Sequence, residues 1–508
     1  MGCPFPATAR KPRRARLRCA AALAVTSGFA VGAHAHGFGQ RYDLPVPLWL
    51  YLTGAAAAVA LSCVVMAVFV KHASRLMDYP RTNLLRWSGG RAISHPLLLA
   101  GSRIASVILL LLVLVAGFFG NQTPVKNLAP LMVWAIWWVG MAYLSALLGD
   151  VWALINPVNT VFTWMEGAYS RLQRGARLSM GLRYPPALGA WPATLLLFAF
   201  AWSELIWEGS DIPANVAAVV LAYCVLTWSG MLVYGRDTWL RNGDAFSLVF
   251  GLFARFAPLE VRGPPAAPEW NLRPYAVGLL IDEPVQPSTL ALVTLMLATV
   301  SFDGFIETPP WVDIVENLGG LLSPHPLALT ADTSHAVVHT LGLCAAWLLF
   351  ALIYLACAWS SARWAAAAAP REKTMHTMRI ACLFVLTLVP IAIAYHLAHY
   401  LSFLLMACQY LVPLLSDPFG FGWDLFGTTL YMVKIGVVDA QFIWYTSVIA
   451  IVAGHIAAVY LAHVMAMRVY ADKLAALRSQ YPILLLMIGY TMVSLWIIAQ
   501  PIVTSRFG

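Results

Sequence analysis

RIACLFVLTLVPIAIAYHLAHYLSFLLMACQY (379–410) holds 32 residues with Arg379 as its one formal charge. That is half as long again as the roughly 20 apolar residues a helix needs to cross a bilayer. Pro390 inside it predicts a kink, because proline lacks the N–H of the helical ladder. Comparable runs recur on both sides, at 46–70, 98–119, 128–149, 187–207, 213–234, 287–303, 335–358, 442–466 and 481–503. With 379–410 they make ten spans. The composition agrees: the 508 residues are 60% hydrophobic and 11% charged, where soluble domains carry about a quarter charged residues. The expected fold class is therefore all-α, a polytopic transmembrane helical bundle forming one domain over 36–508. AFSLVFGLFARFAPL at 245–259 is too short to span and predicts an interfacial or re-entrant helix. No fixed repeat of solenoid length is visible.

Residues 1–35 predict a cleaved signal peptide. Arg10, Lys11, Arg13, Arg14, Arg16 and Arg18 precede an apolar run from Cys19 to Val31, and Ala33-His34-Ala35 supplies a cleavage pattern. Without this leader the formal charge falls from +9 to +3, since it holds six cations and no acid. A mature N-terminus on the outer side fits the loop charges. Lys71, Arg75, Arg81, Arg86 and Arg91 fall in one predicted inner loop, and Arg171, Arg174, Arg177 and Arg183 in another. Glu208, Asp211, Glu307, Asp313, Glu316, Asp417 and Asp424 fall outside. The expected location is a bacterial inner membrane, multi-pass, with a periplasmic N-terminus. Cations sorted by side in this way require no nucleic-acid partner; lipid, a small apolar substrate and a second copy of the chain are the partners to consider.

An ionisable side chain inside a span is costly unless it faces a partner or a cavity. His335 and His339 are four apart at the start of span seven, and His396 and His399 are three apart in span eight. His455 is at mid-depth in span nine. Such spacings put two imidazoles on one helix face, so the five are candidates to converge. Asp303, ending span six, Asp332 and Glu204 are carboxylates in the same outer half. Imidazole plus carboxylate suits a divalent metal with an open water position, zinc first, with copper, manganese or cobalt as alternatives. The plainer account of each histidine is a hydrogen bond between helices. His36 would become the first residue after cleavage and could chelate metal through its amine and imidazole; a flexible terminus is the simpler account. Cys63, Cys224, Cys344, Cys357, Cys382 and Cys408 lie within spans with no CxxC spacing and predict apolar packing.

HGFGQRYDLPVPLWLY (36–51), GDVWALINPVNT (149–160) and YGRDTWLRNGDAFSLVFGLFARFAPLE (234–260) resemble the membrane-bound fenitrothion hydrolases of bacteria. VSFDGFIETPPW (300–311), AYHLAHYLSFLL (394–405), LLSDPFGFGWDLFGT (414–428) and GHIAAVYLAH (454–463) carry the resemblance through most of the mature chain. It implies hydrolysis of the P–O–aryl bond of organophosphorothioate triesters with release of a nitrophenol. It brings no catalytic residues with it. The expected mechanism therefore rests on the residues themselves: a metal between His335/His339 and His396/His399 polarises the phosphorus centre and activates water, and Asp303 or Asp332 takes the proton. Two rivals remain, a transporter or copper-handling permease and a haem redox protein with axial histidines from two spans.

Overall fold

The computed structural model describes residues 34–37, 40–43, 45–69, 79–263, 268–322, 331–369, 375–434 and 438–500. The expected signal peptide lies almost wholly outside them. Its last residues enter strand β1, His34–Gly37, which pairs antiparallel with β2, Gln40–Asp43.

Helices make up almost all the rest. Nine among the described residues are long and apolar enough to cross a membrane: α1 (Leu48–Phe69), α2 (Pro96–Phe119), α3 (Leu128–Leu147), α6 (Pro213–Tyr234), α8 (Pro287–Ile306), α10 (Ala331–Ala368), α11 (Thr377–Ser416), α12 (Ala440–Val469) and α13 (Lys473–Ile498). The chain is a multi-pass membrane protein with an all-α bundle. Between these helices stand α4 (Pro157–Leu172), α5 (Trp191–Leu205), α7 (Ala245–Phe256) and α9 (Pro309–Leu322).

The tenth expected span is the exception. Its helix, α5, has only 15 residues, about 22 Å against a core of about 30 Å. The lead-in at 184–190 is not helical, and Gly189 turns there with φ +43°. This segment still runs the length of α6. Met180 and Leu182 donate backbone hydrogen bonds to Leu232 and Val233 at one end of α6, and the turn at 206–212 leads into its other end.

Burial separates centre from rim. In α11, 94% of the most apolar stretch is buried, against 11% in α2 and 17% in α1 and α10. Chains of Ile, Leu and Val on α2 that touch no protein are what lipid solvates. α11 is continuous but tightens into a 3-10 turn at Val385–Leu388. The proline effect expected from Pro390 falls at that turn: Pro390 has no N–H to offer the Leu386 carbonyl, which accepts the Val389 N–H in a 3-10 bond instead.

α7 resolves the choice left open for 245–259. Phe246, Val249, Phe250 and Phe253 are buried in the main core, so this helix enters the bundle and does not lie on its surface. Asp244 caps its first turn through Ser247 N–H at 2.9 Å. At its other end the buried Arg273 guanidinium donates to the carbonyls of Ala254, Arg255 and Ala257 and pairs with Glu260 at 2.6 Å. A cation against the last carbonyls of a helix is the favourable polarity. Glu260 belongs to a small sheet of Thr82–Asn83, Glu269–Leu272 and Leu259–Arg262, with the second in the middle.

Candidate functional site

α3 is irregular where it meets α11. Leu131–Gly140 is π-helical, flanked by ordinary helix on both sides. A π segment is wider and weaker than α-helix and persists where neighbouring packing or function requires it. Here it sends Trp138 edge-on to the His396 ring, 5.5 Å between centroids. One turn on, the Tyr143 hydroxyl donates to the Leu397 carbonyl at 2.5 Å. Trp138 stands midway along α3, so the contact lies far from either end of that helix.

A small cavity opens at this level, lined by Trp138, Glu204, Phe253, Thr299, His396 and Tyr400 among others. Its volume of about 30 Å³ accommodates about one or two waters. His396 is 5% exposed, and its Nε2 is buried without a hydrogen-bond partner. An unpaired ring nitrogen at that depth calls for a guest that can hydrogen-bond.

Behind this wall is a charge-bearing group. Asp303, three residues before the end of α8, is buried, and its Oδ2 receives the Tyr400 hydroxyl at 2.5 Å and faces His399 Nε2 at 3.0 Å. The His396 and Tyr400 rings are 4.6 Å apart. Tyr400 thus touches the cavity on one side and the Asp303–His399 pair on the other. Gly304 permits the approach: a Cβ there would crowd the Tyr395 hydroxyl and the Ile497 side chain. Tyr395 stacks on His399 and on Tyr490, whose hydroxyl is 2.6 Å from Ser301.

The expected site residues therefore divide. Asp303, His396, His399 and Glu204 come together around the cavity and the hydrogen-bonded group behind it. His455 is apart from them: its Nδ1–H donates to Ile451 O at 2.8 Å within its own helix, and its ring faces Tyr490 at 5.7 Å. His339 lies under α9, where its Nδ1 accepts the Trp311 indole N–H at 3.1 Å. His335 is exposed on α10. The Asp332 and His36 side chains lie outside what the structure describes; their backbones are in α10 and β1. Among the described residues, no three His, Cys, Asp or Glu side chains gather closely enough to hold a metal ion. The single convergence point expected for five histidines is not built, because α10 presents His339 to a tryptophan and α12 turns His455 to its own backbone. Among the described residues, the donors expected for a zinc site from spacing are not gathered at one point. The six described cysteines are free thiols within the spanning helices, as expected.

Tyr400 and Trp138 are the residues that sequence reasoning missed. Tyr400 had a signal: it follows His396 by one helical turn, on the same face and far from either end of the apolar run. Trp138 had none, since an α-helical projection assigns the wrong phase to a π segment.

No family model, no curated protein and no solved structure matches the chain.

Proposed function

We propose that the chain is a membrane-embedded hydrolase of small apolar organophosphorus triesters, with His396 as its general base. The observation that carries this is the unpaired Nε2 of a buried imidazole at a water-sized cavity at mid-depth in the bundle. In the proposed step, Nε2 removes a proton from a cavity water as its oxygen bonds to phosphorus. The P–O–aryl bond breaks, and its electron pair leaves on the phenolate oxygen, which a nitro group stabilises without help from an acid. Tyr400, held by Asp303, fixes the wall against which the imidazole turns. The resemblance at 36–51 and 234–260 supports the substrate class, and an apolar triester dissolves in the lipid that surrounds α2 and α10. The cavity has room for water and not for a triester, so binding requires the aromatic wall of Trp138 and Phe253 to move aside. A bacterial inner membrane with the N-terminus outside is the setting that the loop charges support.

The test is nitrophenol release from fenitrothion by the purified protein in lipid vesicles. His396→Ala is expected to lose roughly 10²–10⁴-fold, the usual worth of a general base, while His335→Ala matches the unaltered protein. A chelator is expected to leave the rate unchanged. Full activity in His396→Ala sinks the assignment of the base; loss of activity to the chelator restores a metal; no release by the unaltered protein sinks the hydrolase.

A permease is the second reading, favoured by the ionisable and hydroxyl groups on α8, α11, α12 and α13: Asp303, His399, His455, Ser301 and Tyr490. Solute-dependent proton uptake by the same vesicles, without nitrophenol release, would establish it.

A further inference from the structure

The loop after α11 carries no cation from Asp417 to Val433, and only two acids, Asp417 and Asp424. Both are engaged by their own segment. Asp417 accepts the backbone N–H groups of Phe421, Gly422 and Trp423 at 3.0, 2.6 and 3.1 Å. Asp424 Oδ1 accepts the Ser416 hydroxyl and Thr429 N–H, both at 3.2 Å. Hydrogen bonds from Thr429, side chain first, hold the Asp424 carboxyl below the usual carboxylate range. The loop is thus a fixed shape with its charge spent on its own backbone.

Its outer surface is the reverse. Phe421, Leu425, Phe426, Leu430 and Met432 are all exposed, Leu430 at 93%, and Trp423 is exposed beside them. Phe421 and Trp423 pack on Phe419 at 5.5 and 5.4 Å, so the aromatic side chains stand as one ridge. In water such a ridge would be costly.

Position identifies what covers it. Asn121 and Leu128 donate backbone hydrogen bonds to Phe419 and Pro418 at 2.7 and 3.2 Å. Gly420, with φ +67°, presses against the Lys126 carbonyl, where any Cβ would collide. The loop is therefore clamped to the turn between α2 and α3. That turn lies at the end of α3, ten residues before Trp138 at the mid-depth cavity, towards one edge of a hydrocarbon core about 30 Å thick. α2, ending at this turn, is the least buried of the spanning helices. The ridge continues its lipid-facing surface.

We propose that residues 419–432 form a rigid aromatic ridge seated in the headgroup and upper acyl region of the bilayer, on the side where α2 ends. The apolar belt of a membrane protein commonly places Trp there; here a whole loop does so, with both of its carboxylates engaged by hydrogen bonds from its own segment.

The test uses the full chain in vesicles containing lipids brominated near the headgroup or deep in the acyl chain. Emission of Trp423 is taken as the difference between the unaltered protein and Trp423→Phe, which spares every hydrogen bond that shapes the loop. The expected result is a blue-shifted difference spectrum that shallow bromine quenches more than deep bromine. In Leu430→Asp this component is expected to shift to the red and to lose its quenching by shallow bromine. Quenching by aqueous iodide in place of bromolipid overturns the proposal in favour of a water-facing surface. Resistance to both quenchers overturns it in favour of a ridge covered by protein, a second copy included.

Discussion

Two histidine pairs of nearly the same spacing meet different fates in this molecule. His335 and His339 start α10, a helix mostly turned to lipid, and His396 and His399 sit in α11, the most buried helix of all. On α10 one imidazole is exposed and the other accepts an indole N–H. On α11 one imidazole joins a carboxylate, and the other lines a cavity and has a buried Nε2 without a hydrogen-bond partner. The i/i+3 and i/i+4 spacings state only that two rings share a face. What the face meets decides whether they are chemistry or packing, and that is settled by the neighbouring helices.

The contrast can be broken in steps, beginning with the change of greatest effect. Asp303→Ala strips the carboxylate that Tyr400 and His399 share. It is expected to cost about 3–5 kcal/mol, as when one member of a buried ion pair is removed, and to abolish nitrophenol release. Thermal unfolding in detergent reads the first and the vesicle assay the second. Unchanged stability would mean that the α11 pair is no more integrated than the α10 pair. Tyr400→Phe keeps the ring and deletes the hydroxyl; the loss is expected near 1.5–3 kcal/mol, the range for a hydrogen bond to a charged group, with a partial fall in rate. A full rate in this variant would detach the cavity from Asp303. His339→Leu is expected to cost only about 0.5–1.5 kcal/mol, the worth of a neutral hydrogen bond, with the rate untouched. If its rate falls as far as that of His396→Ala, the distinction between the two pairs is gone.

Much of the bundle was legible from hydropathy alone, since nine of the ten expected spans are helices of spanning length. The exception has a local cause: 187–207 has the hydropathy of a span, but Gly189 and the residues before Trp191 deny it helix at one end. The site was legible in part. Asp303, His396 and His399 are ionisable residues in apolar runs, and expense marked them. Their partners were not marked. Tyrosine and tryptophan are as common in lipid-facing belts as in polar networks, so Tyr400 and Trp138 look ordinary until α8 and the π segment of α3 are set beside them. The hydrogen bonds that Asp417 and Asp424 accept from their own loop were hidden for a related reason: a loop carboxylate reads as solvated whether or not its backbone also binds it.

The length of α11 has a mechanical meaning. The tight turn at Val385–Leu388 interrupts the helix at one end of a rod that runs from Val389 to Ser416, with Pro413 in its last turn. Measured from Val389, His396 is about 10 Å along that rod and Ser416 about 40 Å. Tilting it about the turn displaces the far end about four times as far as the imidazole. The imidazole therefore lies near the turn, and the aromatic ridge follows the far end of the rod, where the turn between α2 and α3 clamps it.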